Sequence, residues 1–210
     1  MTDTRLSAPE LAAAIDHTLL KPEATRAEVA DAVATAVSGR CASVCVQPAM
    51  VEYACEVAGG RVPVCSVIGF PHGSNLSEAK AIEAALAVAA GASEVDMVAD
   101  LSAIADGDDH AVAADVARVR AAVPHTVLKV ILESALWSDP QLRQAVEAVV
   151  SGGADYVKTS TGFHPSARPC RASKANATTK TTCAIRFPII HPSSKLFLRP
   201  FGEYLPSDRV

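Results

Sequence analysis

Between residues 15 and 165 an apolar, strand-like run is followed by an amphipathic, helix-like run again and again. The strand-like runs fall at about 15–20, 43–47, 62–70, 94–99 and 126–133, and a sixth carries Tyr156-Val157-Lys158. Helical periodicity covers about 26–38, 50–57, 77–90, 109–122 and 138–150, the last opening on Ser138-Asp139-Pro140. Gly39, Gly59-Gly60, Gly91 and Gly152-Gly153 punctuate the joints, and Pro71-His72-Gly73 turns the chain after the third strand. Such alternation with short joints predicts parallel strands with crossover helices. Two architectures satisfy it: a doubly wound open sheet and a closed barrel. The first strand is not followed by the glycine-rich dinucleotide fingerprint, which weakens the open sheet. Units of under about thirty residues suit an eightfold (β/α) barrel of about 250 residues. The expectation is an α/β fold of the (β/α)8 TIM-barrel type, incomplete, with six βα units.

With 210 residues, half of them hydrophobic and only 4% aromatic, the chain suits small-residue helices packed tightly on a sheet. This composition does not suit disorder. No apolar stretch approaches the length that spans a membrane, and the N-terminus lacks a basic region followed by an apolar one. Cys41, Cys45, Cys55, Cys65, Cys170 and Cys183 show neither metal-ligand spacing nor a secreted disulfide pattern. Reduced thiols in a cytoplasmic protein are the expectation. The acidic body argues against a general nucleic-acid binder.

Strand residues alternate faces, so polar groups on a buried face can be picked out. Asp16 and Thr18 share one side of the first strand, and Ser43, Cys45 and Gln47 one side of the second. Asp96 stands between Val95 and Met97, and Lys129 shares its face with Ile131 and Glu133. Lys158 follows Tyr156-Val157, where a solvated lysine is unexpected. Each has a bland explanation. Cys45 can be a small core hydrophobe, Asp16 a turn residue, Asp96 and Lys129 a structural ion pair, and Lys158 a lysine reaching the rim. Together they are harder to dismiss, because burying one unpaired charge costs several kcal/mol. The chemistry that wants two lysines and two carboxylates is amine catalysis. Burial disfavours an ammonium, lowers its pKa and frees the amine to attack a carbonyl.

The segments carrying these residues resemble the deoxyribose-phosphate aldolase family. They are Ile15-Asp16-His17-Thr18-Leu19-Leu20-Lys21-Pro22, Ser43-Val44-Cys45-Val46-Gln47-Pro48 and Val67-Ile68-Gly69-Phe70-Pro71-His72-Gly73. Glu94-Val95-Asp96-Met97-Val98, Leu128-Lys129-Val130-Ile131-Leu132-Glu133 and Tyr156-Val157-Lys158-Thr159-Ser160-Thr161-Gly162-Phe163 complete the set. The resemblance runs from about residue 10 to 165. It implies a class I aldolase, without metal or cofactor, that reversibly cleaves 2-deoxy-D-ribose 5-phosphate to D-glyceraldehyde 3-phosphate and acetaldehyde. Lys158 would form the Schiff base and Asp96 would carry protons. Lys129 and Asp16 would support them, and Cys45, Thr159 and Ser160 would line the substrate pocket. A small phosphosugar or aldehyde would be the partner, with homo-oligomers left open and no membrane or nucleic acid. Deoxynucleoside catabolism would be the setting.

After Pro165 the motifs stop. Residues 1–165 hold 11 Lys/Arg against 21 Asp/Glu, whereas 166–210 hold 8 against 2. The tail contains a single glycine, Gly202, four prolines from Pro188 onward, and three of the five phenylalanines. Its lysines lack the Lys-x-Ser-Gly-Gly sequence that the family carries on its seventh strand. The joint shift reads as a change of reading frame in the coding sequence. Two regions are therefore expected: a partial barrel, 1–165, and a basic, proline-containing tail, 166–210, with first and sixth strands left as open edges. The tail's only strand-like stretches are 184–187 and 196–198. Alternatives to this aldolase are a keto-acid Schiff-base barrel enzyme, and an inactive truncated product or binding module.

Overall fold

The computed structural model describes residues 7–164 and, as strand backbone alone, residues 182–185 and 187–188. A short helix α1 (Ala8–Ala12) precedes β1 (Ile15–Leu19), α2 (Arg26–Gly39) and β2 (Ser43–Val46). A 3-10 turn, Pro48–Met50, leads into α3 (Val51–Ala58), followed by β3 (Val64–Ile68), α4 (Ser77–Ala89) and β4 (Glu94–Val98). Two helices come next, α5 (Leu101–Asp106) and α6 (Asp109–Ala122), then β5 (Val127–Ile131), α7 (Asp139–Ser151) and β6 (Tyr156–Lys158). Strands β7 (Thr182–Ile185) and β8 (Phe187–Pro188) close the series. The five long helices fall where the periodicity places them. Sequence periodicity misses α1 and α5, each shorter than two turns and so too brief to show it. Local capping makes α5: the Asp100 carboxylate accepts from the amides of Ser102 and Ala103, and Gly107 ends the helix in the left-handed region.

Strands β1 to β6 pair in chain order and all parallel. The six βα units form the arc of an incomplete TIM barrel. Its curl is shown by side chains that meet across it: Asp16 on β1 lies 3.0 Å from Lys129 Nζ on β5 and 3.5 Å from Lys158 Nζ on β6. The open edges expected of β1 and β6 are corrected by the structure. β7 pairs antiparallel with β1, setting Asp16 opposite Ala184, and β8 pairs antiparallel with β6, setting Val157 opposite Phe187. An unpaired edge presents free amides and carbonyls, and an extended segment satisfies them. Residues 182–185 and 187–188 thus cover the two ends of the arc, overlapping the strand-like 184–187. The stretch 196–198, and whether 166–210 is a region of its own, lie outside the described residues.

Alternate faces divide the sheet. Outward side chains such as Val44, Val46, Val95, Met97, Leu128 and Val130 pack against Val29, Val33, Ala84, Val116, Val119 and Val149 of the helices, all buried. Small residues let the layers approach closely: a Cβ added to Gly152 would stand 2.6 Å from the carbonyl oxygen of Ala113. The inward faces hold a smaller apolar group, Leu20, Cys45, Cys65 and Val67 with Phe70 against it, and a set of charged residues.

A buried ion pair fastens the helices behind β4. Lys80 of α4 donates to Asp115 Oδ2 of α6 at 2.7 Å and to the Val98 carbonyl at 3.1 Å. The same Asp115 oxygen accepts from the Asp100 amide at 3.1 Å. Both side chains are almost fully buried, so Lys80→Met strands a carboxylate in an apolar layer. The expected loss is about 3–5 kcal/mol of unfolding free energy, read by urea denaturation. A change below about 1 kcal/mol would show that the pair carries no such role.

Candidate active site

Parallel register brings the site together. Asp96 on β4 is the direct partner of Lys129 on β5, and Ile131 on β5 that of Lys158 on β6. On the other side, Asp16 is registered with Ser43, and Thr18 with Cys45. These inward residues converge because the sheet curls around them.

Lys158 Nζ donates to Asp96 Oδ2 and approaches Asp16 Oδ2 at 3.5 Å. Lys129 Nζ donates to Asp96 Oδ1 at 2.8 Å and to Asp16 Oδ2 at 3.0 Å, and pairs with Glu94 Oε2 at 2.7 Å. It also lies 3.4 Å from Cys65 Sγ. Ser43 Oγ donates to Asp16 Oδ1 at 2.7 Å. Lys129, Asp16 and Asp96 have no exposed surface, and Lys158 is 4% exposed, so none of the four is a solvated charge. A narrow recess opens onto Lys158 and Asp96, walled by Thr18, Cys45, Ile131, Ser160 and Thr161. A roomier hollow, lined by Pro48, Ala79, Ile82 and Leu86 of the outer layer, contains none of these charged groups.

Burial works against each charge here, but the pairing outweighs it. For Lys158, desolvation lowers the pKa while Asp96 raises it, and the net is a pKa above the ordinary lysine value. Lys129 is raised well above that value despite its burial, with Asp96 the strongest of the groups holding its proton. Asp96 is pushed down: burial would raise it, but Lys129 and Lys158 prevail. The resting site is therefore an ammonium beside a carboxylate. This corrects the expectation that burial leaves Lys158 uncharged, because the Asp96 carboxylate beside it outweighs the desolvation.

Asp16, Cys45, Asp96, Lys129, Lys158 and Ser160 all come together as the sequence suggests. Thr159 instead joins β5 to β6, its carbonyl accepting from the Ser134 amide at 2.7 Å. Sequence reading misses Glu94 and Cys65, whose alternation with Asp96 and Val67 could have placed them inside. It also misses Thr161, which is fixed by Glu133 Oε2 accepting from its amide at 3.0 Å and its hydroxyl at 2.5 Å. Glu133 lies just past the end of β5 in the left-handed region, φ 48°, a conformation no sequence periodicity announces. Cys45, Cys65 and Asp96 present ligand atoms within 4.8 Å of one another. Both Asp96 oxygens are engaged by ammonium groups, so a cation there would have to displace lysines.

Comparisons with known proteins identify the family. The model of the DeoC/LacD family aldolases matches residues 11–194, reaching past Pro165 where the quoted motifs end. Deoxyribose-phosphate aldolase of Mycobacterium avium (strain 104) is 54% identical over 170 residues, 79% of this chain and 74% of that protein. Its counterpart in Mycobacterium tuberculosis (strain ATCC 25618 / H37Rv) is 51% identical over 160 residues, 74% of this chain and 70% of that one. Among solved structures, the tetrameric deoxyribose phosphate aldolase of Aeropyrum pernix superposes with a TM-score of 0.70 at 38% identity, covering 75% of this chain and 67% of that one. A candidate deoxyribose-phosphate aldolase of Coccidioides immitis gives 0.73 at 36% identity, and this chain spans 76% of its own length but only 63% of that structure. Family model, sequence relatives and fold agree: the chain belongs to the DeoC/LacD family of aldolases.

Proposed function

We propose that the chain cleaves 2-deoxy-D-ribose 5-phosphate to D-glyceraldehyde 3-phosphate and acetaldehyde through a Schiff base on Lys158. The observation that carries this reading is the contact between the buried Lys158 amine and Asp96 at the floor of a recess. Loss of the Lys158 proton to water leaves a neutral amine beside the Asp96 carboxylate. The amine attacks the sugar's aldehyde carbon, Asp96 carries a proton from the adding nitrogen to the oxygen, and a second proton, taken from water, lets that hydroxyl leave as water. In the iminium, the Asp96 carboxylate accepts the C3 hydroxyl proton as the C2–C3 bond breaks and its electron pair moves to the nitrogen, releasing D-glyceraldehyde 3-phosphate. The resulting enamine is protonated at C2, and water releases acetaldehyde. The iminium is itself the electron sink, so the residues on hand suffice for the bond cleavage.

Free thiols at Cys41, Cys45, Cys55 and Cys65 support a cytoplasmic setting, and among the described residues no helix is long and apolar enough to cross a membrane. Self-association, as in the tetrameric Aeropyrum relative, belongs to the same reading. Because the amine is the minor form of Lys158 at neutral pH, its share grows about tenfold per pH unit below the pKa. The rate of sugar cleavage is accordingly expected to climb from pH 6 to 8. Acetaldehyde release, followed by coupled reduction with NADH, tests this. Release from 2-deoxyribose 5-phosphate supports the reading; cleavage of a 4-hydroxy-2-keto acid in its place would move the chain to the keto-acid class.

A further inference from the structure

Glu94 is buried at the start of β4, two residues before Asp96 and on the same inward face. It is not part of the wall of the recess, yet its carboxylate pairs with Lys129 at 2.7 Å, the shortest of that lysine's three carboxylate contacts. An ammonium has three hydrogens to donate. Around Lys129 they are directed to Asp96, Asp16 and the Cys65 sulfur, and the Glu94 carboxylate pairs with the ammonium as a third counter-charge. Of the three carboxylates, Asp96 reaches Lys158 directly and Asp16 at longer range.

We propose that Glu94 is a positioning residue for the Schiff-base chemistry: it anchors Lys129 from beneath and adds a third buried carboxylate to the cluster around the two lysines. The inference rests on the assignment of Lys158 as the Schiff-base lysine. The groups facing the two lysines from the surrounding strands are Asp16, Thr18, Ser43, Cys45, Cys65, Glu94, Asp96 and, registered beside Lys129 on β6, Tyr156. Fully ionised, the carboxylates among them number three against two ammonium groups. A buried cluster with surplus negative charge binds protons more tightly. Removing one carboxylate that the substrate never touches therefore loosens the proton on Lys158. Lys129 communicates the change, because with the Glu94 charge gone its ammonium is balanced by Asp96 and Asp16 alone, the two carboxylates that also face Lys158.

The test is acetaldehyde trapping with borohydride on the full chain, scored at Lys158 by peptide mass spectrometry from pH 6 to 9. Glu94→Gln is expected to shift the trapping profile to lower pH by about 0.5–1 unit, making trapping at pH 7 roughly three- to tenfold faster. KM for the phosphosugar should stay as it is, since Glu94 lies outside the recess. Glu94→Asp keeps the charge and should leave the profile in place, which also decides the matter if Glu94→Gln does not fold. A Glu94→Gln profile that superimposes on the parent, or a Glu94→Asp profile displaced downward, overturns the proposal. A parent chain that traps nothing at Lys158 overturns the Schiff-base assignment itself, and this inference with it.

Discussion

Lys158→Arg abolishes aldol cleavage while leaving the protein folded. A guanidinium keeps a cation beside Asp96, so the buried carboxylate retains its partner, but arginine does not deprotonate and has no amine to offer a carbonyl. Removing a covalent nucleophile costs on the order of 10⁴–10⁶-fold in turnover, and a loss of that size is expected in acetaldehyde release. Lys158→Met separates the two roles differently. It loses the same activity and also leaves Asp96 with one ammonium in place of two, so its denaturation midpoint falls as well. Measurable cleavage by a folded Lys158→Arg protein would remove that lysine from the mechanism.

Lys129→Met costs about 3–5 kcal/mol of stability at neutral pH, a loss as large as that expected of Lys80→Met. Methionine fills the space but leaves Asp16, Glu94 and Asp96 clustered without the ammonium at their centre. The sign of the pH response distinguishes this from a packing defect. In the parent, Asp96 has a depressed folded pKa, so its contribution is present above the unfolded value of about 4 and is lost as pH falls through the folded pKa. The raised pKa values of Lys129 and Lys158 give stability that is complete below about 10.4 and lost as pH rises through the folded values. In the variant the clustered carboxylates hold protons that the unfolded chain releases. Its stability therefore rises as pH is lowered from 7 toward 5, while the parent's stays level. Urea midpoints across that range check it; parallel curves would assign the loss to packing.

Much of this site is legible in the chain because two simple rules act together. Alternation along a strand says which side chains look inward, and parallel pairing says which inward residues become neighbours. Asp96 and Lys129 satisfy both, so their meeting follows from two apolar runs each interrupted by one charge. Glu94 escapes because it stands at the strand's first position, where a polar residue reads as a boundary. The protonation of Lys158 escapes for another reason: burial and a nearby carboxylate push its pKa in opposite directions, and only distance decides between them. The antiparallel cover on β1 and β6 comes from residues 182–185 and 187–188, in a tail whose composition carries no parallel-barrel pattern. Local conformations such as the left-handed Glu133 depend on a contact with Thr161 far along the chain.

The central claim is that one buried amine, at the end of β6, condenses with an aldehyde. Incubation of the folded chain with acetaldehyde and borohydride, followed by peptide mapping, measures it directly. The account predicts a two-carbon adduct on the peptide containing Lys158, formed faster as pH rises toward 9 and absent from Lys158→Arg. An adduct confined to surface lysines, with Lys158 unmodified in a protein whose circular dichroism shows it folded, would contradict it.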